Sequence, residues 1–157
     1  MRRRSAGLLL HRRGEGGDVE VMLVHPGGPY WAKRDEGAWS IPKGEYEADE
    51  DPLVAARREF EEEIGRPSPD GPAVDLGEVR QASGKVVRAW AVEADVDVGA
   101  IESGTFELEW PPRSGRVREF PEVDRAGWFG VEAARRKLVG GQLGLLDALL
   151  DRLARSR

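Results

Sequence analysis

Residues 44–66, GEYEADEDPLVAARREFEEEIGR, carry the clearest structural signal in this chain. Asp51 is a suitable helix N-cap, and Pro52 fits the first helical position because a residue there needs no N–H partner. Gly65, followed shortly by Pro67, provides a stop signal. The sequence therefore predicts a helix between Asp51 and Gly65, with an acidic loop before it.

Three glutamates of this helix share one face. A helix advances about 100° per residue, so Glu59, Glu62 and Glu63 fall within about 100° of one another. Like charges at this spacing repel by roughly a few tenths of a kcal/mol per pair, and such a cost is usually offset by a cation. Carboxylate oxygens in a chain without cysteine suit Mg²⁺ or Mn²⁺ better than zinc. A solvated acidic helix face is the alternative interpretation.

Most of the negative charge of the chain lies around this helix. The 157 residues include 24 basic and 29 acidic ones, for a net charge of −5. Residues 45–63 alone contain nine acidic and two basic residues, a net charge of −7, which leaves +2 for the remainder. The overall balance argues against a dedicated nucleic-acid-binding protein, and the local concentration of acid favours a cation site.

Length and composition favour one globular domain over residues 1–157. The absence of cysteine excludes disulfides and thiolate nucleophiles, and it is compatible with a cytoplasmic location, which we expect. No apolar run approaches the roughly 20 residues needed to cross a bilayer, so we expect no membrane association. The oligomeric state stays open at this stage.

Periodicity predicts one mixed sheet flanked by helices. Two further helices are expected near the C-terminus, and the segments 25–37 and 111–118 are expected to be loops. The predicted strands are Ser5–His11, Val19–Val24, Trp39–Ile41, Val74–Arg80, Val86–Val96 and Thr105–Glu109, and the predicted further helices are Val131–Val139 and Gln142–Arg155.

Residues 44–66 resemble the Nudix box of the Nudix hydrolase family, GX₅EX₇REUXEEXGU, in which U is a bulky apolar residue. Phe60 satisfies one apolar position, whereas Arg66 stands where the family usually has an aliphatic residue. The resemblance implies an α+β fold, namely an α/β/α sandwich with a central mixed β-sheet. All seven fixed letters of the box are present: Gly44, Glu50, Arg58, Glu59, Glu62, Glu63 and Gly65.

The resemblance also implies a chemistry, the hydrolysis of a nucleoside diphosphate linked to another moiety with Mg²⁺ or Mn²⁺. Arg58 would orient a catalytic carboxylate, with Glu50 in support. The general base stays open between a box glutamate and the outside carboxylates Glu119 and Glu122, which are equally well interpreted as ordinary loop residues. Carried over by position, the metal ligands would be the Gly44 carbonyl, Glu59, Glu62 and Glu63.

The residues before the box bear on the substrate. The segment from Trp39 to Gly44, WSIPKG, is similar to the W-x-(L/P)-P-K-G motif of family members that act on dinucleoside polyphosphates and diphosphoinositol phosphates. Lys43 would bind a distal phosphate as a point charge. Tyr30 and Trp31, in a loop rich in glycine and proline, can stack on a purine. The predicted substrate-binding residues are therefore Lys43, Tyr30, Trp31 and Trp39.

The preferred substrate is a dinucleoside polyphosphate such as diadenosine tetraphosphate. The alternatives within the same chemistry are ADP-ribose, nucleoside triphosphates including oxidised ones, and diphosphoinositol or RNA-cap compounds. A non-catalytic nucleotide-sensing domain and a purely structural acidic interaction domain are the alternatives from other classes. His11 and His25 are isolated in the sequence and receive no catalytic role.

Overall fold

The computed structural model describes residues 4–155, which form a six-stranded mixed sheet, a two-stranded hairpin and three α-helices. Short 3₁₀ turns cover Val98–Ala100 and Gly140–Gln142. The elements in chain order are β1 (Arg4–Arg13), β2 (Val19–Pro26), β3 (Lys43–Glu45), α1 (Pro52–Ile64), β4 (Val74–Arg80), β5 (Val86–Glu93), β6 (Thr105–Glu109), β7 (Val117–Pro121), β8 (Val123–Gly130), α2 (Val131–Lys137) and α3 (Leu143–Arg155).

The large sheet is organised around β1. Its strand order is β4-β5-β1-β2-β8, and β3 pairs with β1 beside this path. The β1–β5 pair is parallel, whereas the other pairs are antiparallel. One edge of β1 is shared, because Ser5–Gly7 pair with β3 while His11–Arg13 pair with β2. This sharing brings the short strand β3, with Gly44 at its centre, onto the sheet beside α1.

Two apolar layers cover the two faces of the sheet. On one face, Phe60 and Ile64 of α1 pack with Leu8 and Leu10 of β1. On the other face, the leucines of α3 pack with Leu9 and with small residues of β5. Because successive residues of a strand point to opposite faces, the continuous apolar run in β1 reflects burial on both sides. The predicted mixed sheet between helices is therefore present.

Several predicted boundaries differ from the structure. Trp39 and Ser40 form only isolated bridges, and the strand of this region is Lys43–Glu45. The strand predicted to reach Val96 ends at Glu93. The loop predicted for residues 111–118 ends early, because β7 begins at Val117. The strands β7 and β8 were not predicted, since both mix charged residues with glycine or proline and depend on pairing with a distant partner.

Gly65 ends α1 in a left-handed conformation, with φ of 76° and ψ of 19°. A Cβ atom at Gly65 would lie 2.3 Å from the carbonyl oxygen of Glu102. The segment that follows Glu102 runs close to the helix end, where the N–H of Gly104 donates to the Glu62 carbonyl over 3.2 Å. The carbonyl of Gly104 in turn accepts from the N–H of Glu122 over 2.8 Å. The C-terminus of α1 therefore fixes the segment that leads to β8.

No helix within residues 4–155 combines the length and the apolar character that are needed to cross a membrane.

Replacing Gly65 with alanine is expected to destabilise the fold for two reasons, the left-handed backbone conformation and the close contact with Glu102. The control is Gly77→Ala, because Gly77 has a similar φ of 84° and nothing lies within 4 Å of its would-be Cβ. The control should lower the free energy of unfolding by about 1–2 kcal/mol, through the left-handed backbone. Gly65→Ala should lower it by about 1–3 kcal/mol more, through the contact with Glu102. Equal losses in urea unfolding would contradict the proposed close packing.

Candidate active site

The carboxylate of Glu59 packs directly on the backbone of Gly44. Strand β3 places Gly44 opposite Ala6 of β1, under the face of α1 that carries the glutamates. A Cβ atom at Gly44 would lie 2.0 Å from the Glu59 carboxyl carbon, so any other residue would displace this side chain. The close approach explains in structural terms why glycine occupies this position.

Arg58 connects the glutamates of the helix to the preceding loop. Its Nη1 donates to Glu59 Oε1 over 2.8 Å, and its Nε and Nη2 donate to the two carboxylate oxygens of Glu50 over 3.1 and 3.2 Å. A weaker contact of 3.4 Å reaches Glu62 Oε1. The fork of the guanidinium thus fixes the orientation of Glu59 relative to Glu50. Arg58 is the cation whose contacts bridge these three carboxylates.

Glu63 accepts a hydrogen bond of 2.8 Å from the backbone N–H of Lys43. Burial raises the pKa of Glu63 to about 7, and the charges of Glu59 and Glu122 also raise it, against a lowering effect of Lys43. Burial likewise raises the pKa of Glu59, and the charge of Glu62 adds to this, although Arg58 opposes it. The hydrogen bonds and positive charges around Glu59 and Glu63 therefore do not fully offset the burial of their negative charges.

A divalent cation fits the chemistry of these groups. The donors are hard carboxylate oxygens, they occupy one helix face, and the raised pKa values of Glu59 and Glu63 reflect negative charge that a cation would stabilise. Within residues 4–155, no three Asp, Glu or His side chains already converge on one point. The side chain of Glu62 is 57% exposed and directed to Arg58, so it is free to turn towards a cation.

The two outside carboxylates lie in different places. Glu122 lies between β7 and β8, and its charge raises the pKa of both Glu59 and Glu63. Glu119 lies within β7 and pairs with Glu107 of β6, on an exposed face of the hairpin. The structure therefore brings Glu122, rather than Glu119, to the box glutamates.

Two lysines lie beside the carboxylates. Burial lowers the pKa of Lys43, and the charge of Lys85 lowers it further, against the carboxylates of Glu63, Glu45 and Glu59. Lys85 follows the β4–β5 turn, and its Nζ lies 3.9 Å from Glu45 Oε2. The two ammonium groups therefore lie close enough to influence each other, which is an arrangement suited to a multiply charged anion.

Tyr30 and Trp31 line a cavity of about 310 Å³, which we call the aromatic pocket. The pocket lies between the loop Pro26–Trp31 and the β6–β7 hairpin, which contributes Phe106 and Leu108. Glu122 also lines it, so the pocket adjoins the carboxylates of the helix. The side chains of Tyr30 and Trp31 are 58% and 38% exposed.

Trp39 does not belong to this pocket, which corrects its prediction as a substrate-binding residue. Its side chain is only 4% exposed and lies in the core on the α3 side of the sheet. The ring packs edge-on against Phe129, with centroids 4.9 Å apart, and its Nε1 donates to Asp35 over 2.8 Å. A ring buried in this way packs the core and is not available to stack on a base.

His25, which has no catalytic role in the sequence analysis, is fully buried. Its Nε2 lies 2.6 Å from the Arg34 carbonyl oxygen, and its Nδ1 lies 2.8 Å from Asp124 Oδ1. Because a carbonyl oxygen can only accept, Nε2 donates in the first contact. The ring thus connects the loop of residues 26–37, which we call the aromatic loop, to the start of β8. No sequence signal could reveal this pair, since Asp124 lies 99 residues away.

A sequence profile for the NUDIX domain matches residues 1–149. The chain belongs to this family. It is also 42% identical to the RNA pyrophosphohydrolase of Rhodospirillum rubrum over 64 residues, which are 39% of this chain and 36% of that protein. The matched stretch thus spans about a third of that protein's length. NUDIX hydrolases generally require divalent metal ions.

Solved NUDIX structures share the fold. A C. elegans Ap4A hydrolase in a binary complex has a TM-score of 0.68 at 22% identity, and the match covers 97% of this chain and 98% of the C. elegans chain. The NUDIX domain of Shewanella oneidensis NrtR, complexed with ADP ribose, has a TM-score of 0.66 at 15% identity, covering 98% of this chain and 89% of its own. The predicted NUDIX sandwich is therefore confirmed.

Replacing Glu63 with glutamine tests the electrostatic description of the site. Because the pKa of Glu63 is raised from 4.5 to about 7, the folded state holds this proton more tightly than the unfolded chain does. In EDTA, the free energy of unfolding should therefore fall as the pH rises through this interval. Glu63→Gln should weaken that dependence in urea unfolding at a series of pH values.

Glu61→Gln is the matched control, because Glu61 lies on the same helix, is exposed and bonds to Ser68 rather than to the glutamate cluster. It should keep the pH dependence of the wild type. If the stability of the Glu63→Gln protein depends on pH as that of the wild type does, the raised pKa of Glu63 is contradicted.

Replacing His25 with phenylalanine is expected to loosen the aromatic loop. The variant keeps a buried ring but removes the bonds to the Arg34 carbonyl and to Asp124, which should lower the free energy of unfolding by about 1–3 kcal/mol. Amide hydrogen exchange should accelerate in residues 26–37 more than in α3, which serves as an internal reference. Unchanged exchange in the loop would show that other contacts hold it.

Proposed function

We propose that this chain is a NUDIX pyrophosphohydrolase that cleaves nucleoside diphosphates linked to another moiety, with Mg²⁺ or Mn²⁺. The observation that carries the proposal is the group of Glu59, Glu62 and Glu63 on one helix face. Arg58 donates to Glu59 and Glu62, the Glu59 carboxylate packs on Gly44, and Glu63 accepts from the Lys43 N–H. A purely structural acidic helix would have no reason to bury Glu63 at the cost of a raised pKa.

In this proposal each residue of the box has a distinct task. The Gly44 carbonyl and the three glutamates hold the metal, and Arg58 keeps the Glu59 carboxylate in place. The bound metal would neutralise the diphosphate, polarise a phosphoryl oxygen and lower the pKa of the attacking water. Glu50 supports Arg58 through two hydrogen bonds, so that the guanidinium cannot follow Glu59 if that side chain moves.

The proton of the attacking water needs a carboxylate that accepts it. A glutamate of the box and Glu122 are both compatible with this role, and we propose Glu122. Glu122 approaches from outside the helix, where it can act without giving up a metal contact. Its backbone is held by the Gly104 carbonyl, and Gly104 is itself bonded to the helix at Glu62, so the position of Glu122 is coupled to that of the box.

The proposed substrate is a dinucleoside polyphosphate such as diadenosine tetraphosphate. Lys43 and Lys85 offer two ammonium groups for the distal phosphates of a long polyphosphate. The aromatic pocket offers Tyr30 and Trp31 to a base. The chain shares its fold with an Ap4A hydrolase.

RNA is the second candidate substrate, favoured by the 42% identity to an RNA pyrophosphohydrolase over 64 residues. ADP-ribose is the third, as the ligand of the NrtR domain. A panel of diadenosine tetraphosphate, ADP-ribose, an oxidised nucleoside triphosphate and a 5′-triphosphorylated RNA, compared by kcat/KM with Mg²⁺, separates these choices. Failure to turn over any dinucleoside polyphosphate would refute the preferred substrate.

Glu62→Gln is expected to reduce kcat by at least about a hundredfold on the best substrate of the panel, because it removes a charged metal ligand. Glu61→Gln makes the same chemical change one residue away, on a position that the box leaves variable, and should stay within about twofold of the wild type. Equal effects of the two substitutions would contradict the proposed site. Tight nucleotide binding without product release, with any divalent metal, would instead favour a sensor.

A further inference from the structure

We propose that the aromatic pocket holds one planar base of the substrate and that the β6–β7 hairpin, through Phe106 and Leu108, forms its second wall. This inference rests on the proposed function, since it assigns a part of the same substrate to a surface outside the NUDIX box. It adds two residues of the hairpin that the sequence did not single out as binding residues.

The pocket is formed by close contact between two segments that are distant in sequence. The N–H of Gly27 donates to the Glu122 carbonyl over 3.0 Å, and a Cβ at Gly27 would lie 1.9 Å from the Pro121 carbonyl oxygen. Gly28, with φ of 97°, lies under Phe106, whose Cζ would be 2.9 Å from an added Cβ. Both glycines are therefore required for the loop to reach the hairpin.

Strand alternation directs the hairpin wall into the pocket. Phe106 and Leu108 are half-buried and face the loop, whereas Glu107 and Glu109 are exposed on the other face of β6. At the far end, Tyr30 contacts Trp110 edge-on, with ring centroids 5.2 Å apart. The loop and the hairpin thus present aromatic rings from both sides, as a slot for a flat ring requires.

The size and the chemistry of the pocket favour a base over other groups. A volume of about 310 Å³ is at the lower end of the range for ligand pockets, so it suits one ring system rather than a whole dinucleotide. The lining within residues 4–155 is apolar and aromatic apart from the Glu122 carboxylate, which disfavours a phosphorylated sugar or inositol. Glu122 can accept a hydrogen bond from a ring amino group.

The position of the pocket connects the base to the reacting phosphates. Glu122 lines the pocket, and its N–H donates to the carbonyl of Gly104, whose own N–H donates to the Glu62 carbonyl on the box helix. A base in the pocket would therefore have its attached phosphates directed to the box. The contacts of the buried His25 with the Arg34 carbonyl and Asp124, together with the ion pair between Asp35 and Lys137, hold the loop of residues 26–37 in place without ligand.

The test measures binding rather than hydrolysis, so that it can fail separately from the proposed function. AMP and ribose 5-phosphate differ only by the base, and both can be titrated into metal-free protein by calorimetry. We expect AMP to bind at least about tenfold more tightly than ribose 5-phosphate, because stacking on aromatic side chains supplies the difference. Equal affinities of the two ligands would overturn the inference.

Substitutions in the hairpin locate the base. Phe106→Ala should weaken AMP binding about tenfold and leave ribose 5-phosphate unchanged. Phe106→Leu keeps apolar bulk without the ring and should give an intermediate loss, which guards against misfolding of the alanine variant. Val117→Ala is the matched control, because Val117 is on the same hairpin, is 63% exposed and pairs with Glu109 on the face away from the pocket.

The outcomes separate the two proposals. If Phe106→Ala and Phe106→Leu both bind AMP as the wild type does, the pocket is not the base site and the inference is refuted. If AMP binds as expected while no substrate of the panel is hydrolysed, the base site stands and the proposed hydrolase function fails.

Discussion

The contact between the Glu59 carboxylate and the Gly44 backbone is the constraint on which the arrangement of the site depends. It requires β3 to lie flat against α1, which the shared edge of β1 makes possible. The same contact places the Lys43 N–H where it can bond to Glu63. Strand, helix and carboxylates therefore form one unit, and a side chain at position 44 would disturb all three together.

The burial of carboxylates in this unit has an electrostatic cost. Arg58 compensates Glu50 and Glu59, but burial raises the pKa of Glu63 to about 7. A stable fold without function would replace such a carboxylate with an apolar residue, since an uncompensated buried charge weakens the native state. Apolar packing on both faces of the sheet offsets this cost. On one face, Phe60 and Ile64 hold the same helix that presents the glutamates.

The sequence predicts those parts of the molecule that depend on local signals. The α1 boundaries follow from Asp51, Pro52 and Gly65, and the structure has the helix where these residues place it. The strand β8 was missed because it forms only through pairing with β2, about 100 residues earlier in the chain. For the same reason the sequence does not distinguish Glu119 from Glu122, whereas in the structure the hydrogen bond from the Glu122 N–H to the Gly104 carbonyl holds Glu122 near the box.

The box and the aromatic pocket lie on different elements of the fold, which explains why the box sequence indicates the chemistry but not the substrate. The proposed metal ligands come from β3 and α1, whose spacing is fixed by the helix repeat and by Gly44. The aromatic pocket comes from the loop after β2 and from the β6–β7 hairpin, which make no contribution to the box. The two sets meet at Glu122, so a change in the hairpin can alter which base fits while the carboxylates remain in place. In the function we propose, substrate choice depends on this non-local packing, which the spacing of residues in one motif does not encode.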